Sequence, residues 1–298
     1  MIRLAVRVRS EQAELVLAEL LELAPAGVEE VRDGPGTVEY AVYGAPGELP
    51  ELPELCALAG EALVEVLTSE IPDDWHERWR QFHRPVLIEA HGQDGNEASS
   101  IPDLHVRPPW EAPRTSSRRA VREIVIDPGQ AFGTGAHAST RLCLELLLAL
   151  AASEPTRGPA VDVGTGSGVL AIAAAALGFQ PVLALDHDRE SVRATRENAT
   201  VNGVHIDVQR FDLRDQPLPA PDRGQAPALP PLVLANLLRP LLLELADAIG
   251  LVPRHLIAGG LLRQEADEVA QAFAARHALH EHRRVQSGEW AALWLAAG

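Results

Sequence analysis

Lysine is absent from this chain of 298 residues, so all 26 basic residues are arginine. The chain therefore offers only its own N-terminus as an amine to modify. Acidic residues number 42, and the formal net charge of -16 disfavours broad contact with nucleic acid phosphates or anionic lipid. We expect no direct nucleic acid partner. The acidity either attracts a basic partner or serves solubility alone.

Cysteines and long apolar runs are also scarce. Cys56 and Cys143 are the two cysteines, which cannot form a disulfide framework and lie in no CxxC pair, so a reducing cytoplasm fits. Residues 1–7 alternate charged and apolar side chains, unlike a signal peptide. No stretch reaches the roughly twenty apolar residues of a membrane span. We therefore expect a cytoplasmic monomer that does not associate with a membrane.

The first 68 residues predict a small α+β domain of ferredoxin-like type. Alternating apolar residues over 2–8 predict a strand with one buried face. A helix follows and ends at about residue 24. Two short strands cover 28–31 and 37–43, and a second apolar helix covers about 52–67. We therefore expect residues 1–68 to form a separate domain, to which the family resemblance described below assigns recognition of the substrate.

Residues 69–84 predict a linker helix, and residues 85–298 predict an α/β domain. Trp75, Trp79 and Phe82 lie on one face of the linker helix. From Val121 onward, strands alternate with helices as in a parallel sheet. Strand candidates begin near 161, 182, 206, 232 and 256, helices cover about 168–177, 188–202, 240–249 and 263–276, and a hairpin covers 279–295. A parallel sheet that ends in an antiparallel hairpin is typical of the seven-stranded, Rossmann-like class I methyltransferase fold. The proline-rich run 216–231 is an inserted loop.

A glycine run follows the first strand of this sheet. Gly164, Gly166 and Gly168 are spaced GxGxG between a strand and a helix, which lets the backbone approach a nucleotide-like ligand. Val169 stands where the dinucleotide fingerprint has a glycine, which counts against NAD. A tight turn without a ligand is the alternative interpretation.

Two polar residues stand at the ends of predicted strands. Asp186 lies 22 residues after Gly164, where a carboxylate accepts hydrogen bonds from ribose hydroxyls, although it could instead cap the next helix, as Asp188 can. Asn236 ends the fourth strand at the edge where open α/β sheets bind ligands. Its amide oxygen can accept a hydrogen bond from an incoming amine, or satisfy a turn.

The most distinctive string runs from Asp127 to Thr140, with the sequence DPGQAFGTGAHAST. It resembles the signature of the PrmA family, the bacterial methyltransferases of large-subunit ribosomal protein L-eleven. The resemblance continues through the segments 161–168, 185–203 and 234–236. It implies an S-adenosylmethionine-dependent enzyme that methylates amines, both lysine side chains and the N-terminal amine, of a basic ribosomal protein. By the same resemblance, Thr140, Gly164, Gly166, Asp186 and Asn236 bind the cofactor.

Methyl transfer from a sulfonium requires positioning more than a strong base. We expect Asn236 to act as the catalytic residue by orienting the amine, and Phe132 to help form an apolar pocket. His137 is either a base or a residue that holds its glycine-rich loop. His277, His280 and His282 lack a metal-binding pattern, so we expect no metal.

Three alternatives remain open. The acceptor is another protein or a small amine, the chain is a non-catalytic binding or assembly protein that retains the fold, or it is a dehydrogenase.

Overall fold

The structure is a computed structural model that divides into two compact units. One comprises Met1–Phe82 with Gln130–Phe132, and the other comprises His83–Gly129 with Gly133–Gly298. The residues that the structure describes are 2–13, 16–17, 20, 28–31, 36–44, 49, 55, 59–70, 83–90, 101–114, 120–128, 137–154, 156–215, 217–219, 232–250 and 252–298. Residues 71–82 of the predicted linker helix and most of the inserted loop therefore lie outside the described residues. The predicted bounds 69–84 are wrong at both ends, because residues 69 and 70 belong to a strand and residues 83 and 84 are not helical.

The first unit contains a four-stranded antiparallel sheet. Its strands are β1 (Ile2–Arg9), β2 (Glu29–Val31), β3 (Thr37–Gly44) and β4 (Leu63–Glu70), in the order β2-β3-β1-β4, and short 3-10 helices cover Ser10–Gln12 and Gly60–Ala62. Alternation gives β1 one apolar face, on which Leu4, Val6 and Val8 are buried. This order is the one that a ferredoxin-like unit requires, but the intervening helices lie largely outside the described residues, so that assignment stays a prediction.

The helix predicted over 52–67 is wrong in its second half. Leu63–Glu70 is the strand β4, which pairs antiparallel with β1. The β-branched residues Val64, Val66 and Thr68 recur at every second position, which suits a strand, and the open edge of β1 supplies the backbone partners. Apolar content alone did not distinguish a helix from a strand here, because β1, the strand with which β4 pairs, lies about sixty residues away in sequence. β4 also runs two residues past the expected domain end at 68.

The opposite face of this sheet carries an ion-pair ladder. Glu39 accepts hydrogen bonds from Arg3 at 2.5 Å and from Arg7 at 2.7 Å, and Arg7 also reaches Glu65 at 3.0 Å. The bond from Arg3 holds the pKa of Glu39 below its usual value. The ladder therefore ties three neighbouring strands together through their side chains.

The second unit begins with a three-stranded sheet that the sequence pattern did not predict. It contains β5 (Val86–Ile88), β6 (Asp103–Arg107) and β7 (Val121–Val125), with β6 between the other two. Polar residues inside β6 obscured the strand pattern. Asp103 is buried, and the hydrogen bond that it accepts from the Ala90 backbone N–H at 2.9 Å compensates for its burial. His105 is also buried and contacts Glu123 at 3.0 Å.

The predicted seven-stranded sheet is confirmed. Its order is β10-β9-β8-β11-β12-β14-β13, with a parallel body and β14 antiparallel to both of its neighbours. The strands are β8 (Ala160–Val163), β9 (Val182–Asp186), β10 (Asp207–Arg210), β11 (Leu232–Asn236), β12 (His255–Leu262), β13 (Leu279–Ser287) and β14 (Trp290–Ala297). The helices are α1 (Ala138–Ser153), α2 (Val169–Ala176), α3 (Arg189–Val201), α4 (Arg239–Ala248) and α5 (Ala266–His277).

Helices cover both faces of this sheet. Residues of α1, α2 and α3 share one apolar cluster with the three-stranded sheet, and residues of α4 and α5 share the other. Successive residues of β8 and β11 alternate between the two clusters, as a sheet buried on both faces requires. In the described part of the chain, no helix is both long enough and apolar enough to cross a membrane.

Candidate cofactor and amine site

The site lies where the order of the parallel strands reverses, between β8 and β11. Open α/β sheets bind ligands outside the carboxyl ends of their strands at such a point. The glycine run follows β8, Asp186 ends β9 and Asn236 ends β11. The sheet order therefore brings three of the predicted site segments to one edge.

Asp186 holds the glycine run directly. Its carboxylate accepts hydrogen bonds from the backbone of Gly166 at 2.9 Å and of Asp188 at 3.0 Å. The residue is 7% exposed, and burial raises the pKa of its carboxyl group while these two bonds oppose that rise. The alternative role of capping the next helix belongs to Asp188, which accepts from Ser191 N–H at 2.9 Å.

The glycines are required by their backbone conformation and by close packing. Gly164, Gly166 and Gly168 all have positive φ, at 71°, 54° and 85°. A Cβ on Gly168 would lie 2.8 Å from Thr195 Cγ2, and one on Gly164 would collide with the side chain of Leu237. The glycine run therefore packs tightly between Thr195 of α3 and Leu237, the residue that follows Asn236.

Asn236 and Thr140 form the second part of the site. The side-chain amide of Asn236 donates to Thr140 Oγ1 at 3.2 Å, and Thr140 is fully buried in the first turn of α1. Asn236 Oδ1 is buried and has no hydrogen-bond partner among the described residues. An acceptor oxygen in that position is costly unless a donor from a ligand reaches it.

His137 acts as the N-cap of α1. Its Nδ1 accepts from the Ser139 backbone N–H at 3.3 Å and lies 2.8 Å from Ser139 Oγ, and its ring packs edge-on against Trp290 at 4.7 Å. These contacts fix the helix start that carries Thr140, which favours the holding role over the role of a base.

Asp162 is a site residue that the sequence analysis missed. It is 1% exposed on β8, and its Oδ2 accepts from Thr165 Oγ1 at 2.7 Å and from the Ala171 backbone at 3.1 Å. Its Oδ1 has no partner within the described ranges. Burial, aided by the charge of Asp186, raises the pKa of its carboxyl to about 7. An acid inside an otherwise apolar strand, immediately before the glycine run, was the signal in the sequence.

The polar face of α3 was missed as well. Thr195 donates to the Gly166 carbonyl at 2.9 Å, and Asn198 donates to the Ser167 carbonyl at 2.9 Å. Both residues are buried. Their spacing with Asn202 puts three polar side chains on one helix face, which is detectable in sequence once the helix is placed.

Other predicted residues lie elsewhere or outside the described ranges. Residues 129–136, including Phe132, are not described. His277 is half-buried and bonds the Ala246 carbonyl at 2.6 Å, whereas His280 and His282 are exposed. Within the described ranges, no group of three His, Cys, Asp or Glu side chains is arranged to hold a metal ion.

Comparisons with known proteins agree with this geometry. The family model described as ribosomal protein L11 methyltransferase (PrmA) matches residues 54–297. A ribosomal protein L11 methyltransferase of Syntrophotalea carbinolica is 34% identical, with 94% of this chain and 92% of the relative aligned. One from Geobacter metallireducens is 37% identical over 78% of this chain and 69% of its own length. This chain belongs to the ribosomal protein L11 methyltransferase family.

A solved relative supports the same fold. The crystal structure of ribosomal protein L11 methylase from Lactobacillus delbrueckii subsp. bulgaricus matches with a TM-score of 0.52 at 30% identity, covering 65% of this chain and 94% of that one. Membership in the L11 methyltransferase family confirms the predicted class: a methyltransferase with S-adenosylmethionine as its methyl donor. The dehydrogenase alternative is thereby set aside.

Proposed function

We propose that this L11 methyltransferase relative methylates amines of ribosomal protein L11, using the carboxyl edge of the seven-stranded sheet as its active site. The family match supports the substrate class. The observation that carries the chemistry is Asn236 Oδ1, a buried acceptor without a partner among the described residues at that edge. An amine N–H is the complementary donor.

The donor site comprises Thr140, Gly164, Gly166, Asp186 and Asn236. The buried carboxylate of Asp186 has lone pairs left after its two backbone bonds, which suits the two hydroxyls of a ribose. The left-handed glycines remove side chains from the path of the nucleoside. S-adenosylmethionine supplies an electrophilic methyl group on a sulfonium.

Asn236 orients the nucleophile. A lysine amine has a pKa of ~10.4 in water and must lose a proton before it attacks, and an apolar pocket lowers that pKa. The Asn236 oxygen accepts one remaining N–H, which directs the nitrogen lone pair towards the donor. Thr140 holds the amide in that orientation through the bond at 3.2 Å. No strong base is needed because positioning supplies most of the acceleration.

The first unit is proposed to present the substrate to the second. The formal net charge of -16 suits a basic ribosomal protein and disfavours direct binding to nucleic acid. Because ribosomal proteins are made and assembled in the cytoplasm, we propose that the enzyme acts there. We further propose that it acts as a monomer. Both lysine side chains and the N-terminal amine are the proposed acceptors.

Mass spectrometry of purified ribosomal protein L11 after incubation with enzyme and S-adenosylmethionine tests this function. We expect mass increments of whole methyl groups that map to lysines or to the N-terminus. L11 with its amines acetylated beforehand is the matched control and is expected to remain unchanged. Since the enzyme has no lysine, every methyl-lysine found comes from the substrate. Methylation confined to other acceptors in a ribosomal extract would contradict the proposal.

A further inference from the structure

Asn198 connects the two segments on which the proposed donor site depends. Its Nδ2 donates to the carbonyl of Ser167, inside the glycine run, at 2.9 Å. Its Oδ1 accepts from the backbone N–H of Asp127, the first residue of the string 127–140, at 2.9 Å. One buried amide, 2% exposed, thus bridges segments forty residues apart in sequence.

Asn202 makes a parallel set of contacts one helical turn later. Its Oδ1 accepts from the Val125 backbone at 2.8 Å, and its Nδ2 donates to the carbonyls of Val125 at 2.6 Å and Asn198 at 2.8 Å. Four helical residues rise about 6 Å, close to the roughly 6.6 Å that two residues of extended chain span. Segment 125–127 therefore runs in register along α3. The Asn202 amide donates to Val125 and to the carbonyl of Asn198 in α3, whereas the Asn198 amide donates to the glycine run.

Asn198 Nδ2 also donates to the Asp127 carbonyl at 3.4 Å. The contacts of Asn198 need the two different ends of a carboxamide. A backbone N–H requires an acceptor, and a backbone carbonyl requires a donor. Asn is the smaller of the two side chains that carry a carboxamide. Thr195 adds a bond to the Gly166 carbonyl at 2.9 Å, which fixes the same loop from the same helix face.

We propose that Asn198 is a positioning residue for the methyl donor: it fixes the glycine run relative to the backbone at Asp127. It touches neither donor nor acceptor in this role. It acts through the backbone of Ser167 and Asp127. The inference rests on the proposed function, because it concerns the site assigned there to S-adenosylmethionine.

In the variant Asn198→Asp, the carboxylate keeps the acceptor for Asp127 N–H but places a second oxygen against the carbonyls of Ser167 and Asp127. Asn202→Asp, at the residue that directly follows α3, is the matched control, since it places a carboxylate oxygen against the Val125 carbonyl. We expect both variants to lose similar stability in urea denaturation. We expect only Asn198→Asp to weaken binding of S-adenosylmethionine, by about tenfold or more in calorimetric titration, as loss of one well-made hydrogen bond predicts.

Kinetics give a second readout. The KM for S-adenosylmethionine is expected to rise in Asn198→Asp by the same factor as the dissociation constant, whereas the KM for the protein substrate stays unchanged. Equal donor affinity in the two variants would overturn the positioning role, as would an equal rise in both KM values. If the unchanged enzyme itself fails to bind S-adenosylmethionine, the proposed donor site fails instead, so the two failures are distinguishable.

Discussion

Asn236 and Thr140 are 96 positions apart in sequence, yet the Asn236 amide donates to the Thr140 hydroxyl at 3.2 Å. The contact joins the carboxyl end of β11 to the first turn of α1. It leaves the Asn236 oxygen without a partner among the described residues. The orientation of the proposed catalytic amide is therefore set by a neighbour that the sequence separates widely.

Removal of that oxygen is expected to slow chemistry more than it weakens donor binding. Asn236→Ala should lower kcat by about a hundredfold, the usual scale for a group that orients a proton-bearing nucleophile. Thr140→Val keeps the oxygen but removes the bond that holds it, so its loss in kcat should be smaller. Single-turnover kinetics with saturating donor measure both. Full retention of kcat in Asn236→Ala would exclude the proposed role.

Asp186 and Asp188 provide a charge-matched pair for the ribose contact. Asp186→Asn should raise the dissociation constant for S-adenosylmethionine by about ten- to a hundredfold, the range for a hydrogen bond to a charged group. Asp188→Asn removes the same charge two residues away but retains an N-cap, because Asn caps helices as well as Asp. We expect its donor affinity to stay within about twofold of the unchanged chain. Calorimetric titration of both variants checks this, and equal weakening would point to charge alone.

Asp162 predicts a specific dependence of stability on pH. Its folded pKa of about 7 lies above the ordinary aspartate pKa of 3.8, so the folded state binds the proton more tightly than the unfolded state. Its contribution to the free energy of unfolding is therefore fully present below pH 3.8, falls as the pH rises, and is lost above about 7.

Asp162→Asn removes the titrating group and keeps an oxygen for Thr165 and Ala171. We expect the free energy of unfolding of the variant to lack the pH dependence due to Asp162, which is up to about 1.4 kcal/mol per pH unit. At high pH the variant should be at least as stable as the unchanged chain. Urea denaturation at several pH values measures this. Parallel pH profiles for the two proteins would show that Asp162 does not titrate in this window.

Two glycines with positive φ separate backbone strain from packing. Gly168→Ala imposes both, since a Cβ there would lie 2.8 Å from Thr195 Cγ2 and 3.2 Å from its Cα. Gly203→Ala, at φ +63°, imposes strain only, because nothing lies within 4 Å of its Cβ position. We expect a loss of about 1 kcal/mol for Gly203→Ala and at least about 2 kcal/mol for Gly168→Ala. Chemical denaturation measures the difference. Equal losses would mean that the loop shifts to accommodate the added Cβ at no cost in stability.

Several parts of the fold were predictable from local pattern. Short, mostly apolar runs between turn residues predicted the parallel strands, and the pattern of the last twenty residues predicted the hairpin, each within a few residues of the observed bounds. Asp186 and the glycine run were predictable for a related reason. Strands of a parallel sheet end at a common edge, so residues that follow them are brought together.

Other parts were not predictable, because the deciding contacts are distant in sequence. β4 was assigned to a helix, since its strand form depends on pairing with β1. Asp162 showed an acid in an apolar strand, but its raised pKa comes from the layers that exclude water around it.

Periodicity and short motifs were enough to specify the class of fold, the edge of the sheet that carries the chemistry and the family to which the chain is similar. Packing in three dimensions selected which polar atoms meet there. The Asn236 amide contacts Thr140, and Asn198 contacts both Ser167 and Asp127, because α1 and α3 pack against the sheet. Hydrogen bonds require distances and directions that no local pattern specifies.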